Sequence, residues 1–324
     1  MTRRLLLALC TLAVTSAQDT WKGVERIVAV GDVHGGYTAF IDVLRAAALI
    51  DEKGTWTGGK THLVQIGDVV DRGPDSRKVM ELLMALEKQA PKTGGYVHCL
   101  IGNHEAMNLY GDLRYVSPGE FAAFRGNESA AQVEQLWEQE TRKMKPKPDA
   151  AFRAKWMTAH PPGWVEHRAQ FGPQGRYGKW IRGHNAVIRI NDTLFVHGGI
   201  SPKYAGKSIR DINRGITEEF SDFAKLAEDG YVRDEQGVLW YRGIAQEDPA
   251  LANHVQRLLK NFAARRIVIG HTPTGGKIVS LYGGSVLAID VGLADVYGAH
   301  RLALVIEGDQ ASTLSTDSKL PLPK

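Results

Sequence analysis

Five short stretches hold most of the side chains able to do chemistry: GDVHGG (31–36), GDVVDRG (67–73), GNHE (102–105), FVHGG (195–199) and VIGHTP (268–273). Each closes an apolar run and sets an oxygen or imidazole donor beside glycine. The donors are Asp32, His34, Asp68, Asn103, His104, His197 and His271, with Asp71 and Arg72 alongside. One such ending is an ordinary turn, and a lone strand-end histidine is more often a hydrogen-bonded structural residue. Five in one chain are not explained as turns, since each would have to acquire its donor independently. None of the donors is a thiolate, which selects Mn, Fe, Zn or Co over Cu(I) or an iron–sulfur cluster. Six donors from that group plus water are already too many for one tetrahedral zinc. They suit two ions sharing a carboxylate, about 3.5–4 Å apart, the arrangement used for in-line displacement at phosphorus.

Positioning these groups requires strands that end together. Ile27–Val30, THLVQIG and GGYVHCLIG read as strands, separated by helical patterns in TAFIDVLRAAALI and DSRKVMELLMALEKQA. That alternation predicts parallel pairing in an α/β protein. In the second helix Asp75 or Ser76 is expected to cap the N-terminus. From Asp112 to about Trp180 the composition shifts to Arg, Lys, Trp, Gln and Pro, which predicts a mostly helical elaboration over one end of the sheet. Strand-like runs then dominate: NAVIRIND, TLFVHGG, RRIVIGH, GKIVSLYGG, SVLAIDVG and HRLALVIEGD. Helices are expected over roughly 208–228 and 248–264. VLAIDVG reads as ordinary strand sequence. If the strands lie in packed sheets with their C-terminal ends together, the five loops meet in one crevice.

Taken together, GDVHGG, GDVVDRGP, GNHE, VHGGI and VIGH resemble the calcineurin-like metallophosphoesterases, in their phosphoprotein-phosphatase branch. VLWYRG (238–243) and IDVGLADVYGA are most similar to the bacterial Shewanella-like phosphatases. The resemblance covers 27–111 and 185–307. It implies a four-layer α/β fold, a β-sandwich flanked by helices with the elaboration between the third and fourth motifs. It also implies that Asp32 and His34 hold one ion, Asp68 bridges, and Asn103, His197 and His271 complete the second. Two cations (Mn, Fe or Zn) would lower the pKa of a bridging water and supply hydroxide for attack on phosphorus. Arg72 and Arg242 would clamp phosphoryl oxygens, with Asn103 and Tyr297 also facing substrate. His104 would be the general acid, oriented by Asp71. Gly31, Gly35 and Gly36 would let the backbone turn sharply at the strand end and leave room for ions and phosphate.

The reading this supports is a phosphomonoester hydrolase acting on phosphorylated proteins or peptides (Ser/Thr or Tyr) or on small phosphate esters. The alternatives are a dinucleoside polyphosphate hydrolase of the same superfamily and a catalytically silent metal-binding scaffold. The Asp71–Arg72 pair and Glu105 favour the phosphatase branch. Residues 1–17 read as a cleaved secretory signal: Arg3 and Arg4, an apolar stretch too short to span a bilayer, then Ser16 and Ala17. The expectation is an exported protein, periplasmic or secreted, with no membrane anchor after cleavage and one domain over 18–324. Cleavage takes the formal net charge from +4 to +2 by removing Arg3 and Arg4, too slight a balance to argue for nucleic acid. It also leaves Cys99 as the remaining cysteine, expected to be a small buried hydrophobe. Phe121, Phe124, Trp137, Trp156, Trp164 and Trp180 form either a groove for aromatic phosphates or the core of the elaboration. A structural role is expected of His184, and none is assigned to His160 or His167.

Overall fold

The computed structural model describes residues 18–316 and 318–322, so the leader read in 1–17 lies outside the described residues. The strands are β1 (Thr20–Trp21), β2 (Arg26–Val30), β3 (His62–Gln65), β4 (Tyr96–Cys99), β5 (Val187–Ile190) and β6 (Thr193–Val196). They continue with β7 (Arg266–Ile269), β8 (Val279–Leu281), β9 (Val286–Ala288), β10 (Leu302–Glu307), β11 (Gln310–Ser315) and β12 (Lys319–Pro321). Two six-stranded sheets result, in the orders β12-β11-β10-β2-β3-β4 and β1-β5-β6-β7-β9-β8.

Within the first sheet β2, β3 and β4 run parallel, as the alternation of elements requires. In the second, β6, β7 and β9 run parallel. The central strands β2 and β7 are buried beyond their first arginine on both faces, which is why IVAV and IVI are continuous apolar runs rather than alternating ones. One contiguous apolar cluster joins the sheets, holding Val28 and Leu63 from the first and Leu194 and Val268 from the second.

The helices are α1 (Tyr37–Ala46), α2 (Ser76–Gln89), α3 (Asn103–Tyr110), α4 (Pro118–Ala122), α5 (Ser129–Thr141), α6 (Ala150–Ala159), α7 (Trp164–Phe171), α8 (Arg176–Arg182), α9 (Ile209–Ser221) and α10 (Ala252–Asn261). The elaboration is helical as expected, in five short segments. Its core contains Phe121 and Phe124, whose rings meet His167 edge-on at 5.2 and 5.0 Å. Trp137 packs on Trp156 at 5.2 Å, and Trp156 stacks on His160 at 3.9 Å. These aromatics therefore pack on one another within the elaboration.

Three local expectations change. Asp75 sits at the α2 N-cap without a capping hydrogen bond, and its carboxylate instead pairs with Lys78 at 2.8 Å. The helix expected over 208–228 ends at Ser221, where the Asp222 side chain takes the amide of Ala224 and opens a tight turn. Gly31 is not a turn residue making room for ions. A β-carbon there would lie 2.1 Å from the carbonyl oxygen of Ile289, so glycine is needed because the chain leaving β9 passes directly over it.

Candidate active site

The loops after β2, β3 and β4 meet those after β6, β7 and β9 at the seam between the sheets. Asp32, His34, Asp68, Asp71, Asn103, His104, His197 and His271 are all buried there. Five residues of this hollow hold left-handed backbone: His34 (φ 45°), Asp68 (56°), Asp71 (71°), Arg72 (68°) and His271 (62°). Such conformations are uncommon for residues with a β-carbon and persist where the surroundings over-determine them.

Much of that determination comes from Glu105. Its carboxylate accepts the amides of Asp68 (2.7 Å), Val69 (2.7 Å), Gly102 (2.8 Å) and Val70 (3.3 Å). One side chain thus ties the loop after β3 to the start of α3. Gly102 completes the junction, because a β-carbon there would fall 2.1 Å from Asp68 Oδ1.

The three histidines expected to hold metal share one device. His34 Nδ1 meets the carbonyl of Val70 at 2.8 Å, His197 Nδ1 that of Ile66 at 3.0 Å, and His271 Nε2 that of Trp240 at 3.0 Å. A carbonyl can only accept, so each imidazole donates an N–H to it and turns its second nitrogen elsewhere. For His197 that nitrogen faces inward, 3.3 Å from Asp68 Oδ2 and 3.0 Å from Asn103 Oδ1. Burial drives the pKa of His34 down to about 4 and also lowers that of His271, which keeps both rings neutral. Neutral imidazoles oriented by backbone carbonyls are what a metal site needs.

Asp68 belongs to both groups of converging donors, one with His34 and His104, the other with His197 and His271. Burial would raise its pKa, but His197 and His104 outweigh burial and hold it well below the usual carboxylate range. Asp32 is pushed the other way by burial and by Asp290. Both Asp32 oxygens lie within hydrogen-bond reach of the amide of His271, at 3.1 and 3.0 Å, which joins the loops after β2 and β7. So many buried acids beside neutral imidazoles leave negative charge in need of a cation. The residues fit divalent metal ions.

His104 stands apart from this set. Its Nδ1 lies 2.5 Å from Asp71 Oδ2, and its Nε2 lies 3.9 Å from Asp68 Oδ2. Burial disfavours the imidazolium, yet Asp68 and Asp71 overcome that and raise the pKa above the ordinary value. Asn108 donates to the other oxygen of Asp71 at 2.8 Å. Arg72 reaches the rim, where its guanidinium lies 3.9 Å above the ring of Tyr115. Arg242 is exposed, donates to the carbonyl of His271 and lies 3.3 Å from Thr272 Oγ1. The Tyr297 ring approaches that of His34 at 5.7 Å, so Tyr297 borders the hollow.

Asp290 belongs to the hollow but not to the expected set. It hydrogen-bonds Asp32, and burial together with Asp68 raises its pKa to about 6. It follows an apolar run and precedes Val291-Gly292, so the pattern that marked the other motifs was present in VLAIDVG. Tyr115, Asn108 and Glu120 also border the site without belonging to the expected set. The amide of Asp71 donates to buried Glu120 at 3.1 Å, a contact from α4 that no spacing announces.

Similarity to known proteins agrees with this geometry. The chain is 33% identical over 299 residues to an uncharacterized protein of Schizosaccharomyces pombe, across 89% of this chain and 79% of that one. It is 29% identical to Shewanella-like protein phosphatase 2 of Arabidopsis thaliana, across 86% and 73%. Among solved structures, the cold-active protein-tyrosine phosphatase of a psychrophilic Shewanella aligns with TM-score 0.73 and 27% identity, covering 94% of this chain and 82% of that one. The calcineurin-like phosphoesterase family model matches residues 25–275, the span that carries all five motifs. The chain belongs to the calcineurin-like phosphoesterases and is a phosphatase.

Proposed function

We propose that this phosphatase removes phosphate from phosphorylated proteins or peptides, using two metal ions and a separate side-chain acid. Asp32, His34 and Asp68 would hold one ion, and Asp68, Asn103, His197 and His271 the other, with Mn, Fe or Zn matching the oxygen and nitrogen donors. When bound, such ions supply an activated water and draw charge from the phosphoryl oxygens.

The chain's own residues do the rest. Arg72 presents a planar guanidinium for bidentate contact with two phosphate oxygens, held over Tyr115 so that little freedom is lost on binding. Arg242 supplies a second guanidinium from the opposite sheet, and Asn103 and Tyr297 border the same space. His104 keeps a proton on Nε2 while Asp71 fixes Nδ1–H. As the phosphorus–oxygen bond breaks, the departing oxygen takes the Nε2 proton and the ring returns to neutral imidazole. The observation that carries this reading is the His104–Asp71 pair, a buried acid with a raised pKa beside the carboxylate common to both donor groups. The tyrosine-phosphatase and protein-phosphatase names of similar proteins support a phosphorylated side chain as substrate.

The test is a panel of phosphotyrosine and phosphoserine peptides, small esters and a dinucleoside polyphosphate, run with the parent chain and His104→Ala. An alkoxide leaving group needs the proton and an activated phenolate does not. The variant should therefore lose ~10²–10⁴-fold on phosphoserine and far less on an activated aryl phosphate. Equal losses on both would reject the acid role, and dominant turnover of the dinucleotide would reject the phosphoprotein reading.

Export completes the proposal, supported by the basic, apolar and small-residue order of 1–17. Mature protein from a non-cytoplasmic fraction should begin at Gln18. Recovery of the intact chain from cytoplasm would overturn this.

A further inference from the structure

A second group of metal-competent side chains lies behind the hollow. Glu87 on the last turn of α2, Cys99 at the end of β4 and His184 between α8 and β5 each offer a ligand atom, all within 4.8 Å of one another. We infer that Glu87, Cys99 and His184 form a third metal site, built for a zinc-like divalent ion with water as fourth ligand.

The chemistry of the donors carries the inference. Thiolate, imidazole and carboxylate together are a zinc set, whereas hard ions such as Mg or Mn prefer oxygen alone. The ligand atoms already converge. His184 Nε2 lies 2.9 Å from Glu87 Oε1, and the Cys99 thiol hydrogen-bonds Glu87. The carboxylate is steadied from outside by Trp180, whose indole N–H donates to Glu87 Oε2 at 2.7 Å, and the same indole meets the His184 ring edge-on at 4.7 Å. A hydrogen bond to the second oxygen of a ligating carboxylate, as Trp180 gives Glu87, is a usual outer support of a metal ligand.

Access is also present. Cys99 is buried, but the Glu87 and His184 side chains remain 23% and 15% exposed, leaving an entry path and room for a water. Binding would form a metal–sulfur bond and break the S–H bond, with the proton passing to solvent. His98, the neighbour of Cys99, is turned to the other side of β4, where it pairs with His62 at 3.0 Å, and takes no part.

Position gives the site a use. Two residues beyond Cys99, the amide of Ile101 donates to the carbonyl of Asn185, the neighbour of His184, at 3.1 Å. Asn103 and His104 follow immediately. An ion at this point would brace the base of the catalytic loop from behind, without touching the donors in the hollow.

Cobalt(II) separates the two centres, because the hollow contains oxygen and nitrogen donors only. Metal-free full-length protein is titrated with cobalt. The expected result is three ions per chain and a near-ultraviolet sulfur-to-cobalt band that saturates with one of them. Cys99→Ser should lose the band and one ion, and Asp68→Asn should keep the band. His184→Ala and Glu87→Gln change residues less buried than Cys99 and serve if Cys99→Ser does not fold. The first should weaken half-saturation of the band by at least ~10-fold. Cobalt-saturated protein without the band overturns the site, as does a band that survives Cys99→Ser, which would report Cys10. Phosphatase activity is read separately, so failure here leaves the proposed function untouched.

Discussion

The two sheets contribute to the hollow unequally. The loops of the first sheet and the start of α3 carry Asp32, His34, Asp68, Asp71, Arg72, Asn103 and His104, and four of these seven hold left-handed backbone. Loops on the second carry His197, Arg242, His271 and Asp290, of which only His271 does. Glu105 binds the first set together through four amides. The second set meets the first through separate contacts, His197 to the carbonyl of Ile66, to Asn103 and to Asp68, and the amide of His271 to both oxygens of Asp32. One sheet thus holds the acid and most of the charge in a rigid frame. The other brings two imidazoles, each held through one ring nitrogen by a backbone carbonyl, and Asp68 meets donors from both sheets.

Removing the bridge should have the largest effect. Asp68→Asn is nearly the same shape, yet it deletes the carboxylate that both donor groups share. Bound metal should fall below two ions per chain and turnover should fall to background. Full occupancy, counted by elemental analysis, would separate the sheets' roles differently. Chelation of the parent protein should lower its Tm, by the equivalent of about 2.7 kcal/mol when metal had been present at 100 times its Kd.

Asp290 sharpens the comparison from the second sheet. A buried carboxyl with a raised pKa stabilises the metal-free fold while protonated, and that contribution is lost as pH rises through about 6. Asp290→Asn should therefore make metal-free protein more stable than the parent at pH 7, by roughly 3 kcal/mol from a shift of that size. Near pH 3, where the parent carboxyl is protonated in both folded and unfolded chains, the difference should vanish. Denaturant midpoints at the two pH values decide it. An equal gain at both would mean that Asp290 acts through packing and not charge.

The smallest effect belongs to the rim. Tyr115→Leu removes the ring beneath Arg72 while keeping bulk. An exposed cation–π contact contributes about 0.5–1 kcal/mol, so KM should rise about 2–5-fold with kcat little changed. A fall in kcat alone would point to the neighbouring His104 ring instead, 5.1 Å from Tyr115.

Much of this comparison was legible in the sequence for a physical reason. Buried parallel strands are continuous apolar runs, and a polar residue beside glycine at the end of such a run is conspicuous. That contrast exposed Asp32, Asp68, His197 and His271, along with β2, β3, β4, β6 and β7. It failed where the contrast is weak. β1 has two residues, and β11 and the edge strand β12 are partly or fully exposed and lack an apolar run. Asp290 carried the same signature and was read as plain strand. Asn103 was read as a strand end but opens α3, because Glu105 reaches back to the amide of Gly102 and starts a helix there. Glu120 and Tyr115 left no signal, since their contacts with the loop after β3 arise only when the elaboration docks.

Docking through Glu120 limits how freely this enzyme can be re-engineered. The residue sits inside α4, within the stretch that looks most like an interchangeable insert, yet its carboxyl receives the backbone of the amino acid that orients the proton donor. Grafting a relative's insert onto this scaffold to alter selectivity would discard that support unless an equivalent acid came with it. A chimera lacking one is expected to fold, to bind metal and still to transfer protons poorly.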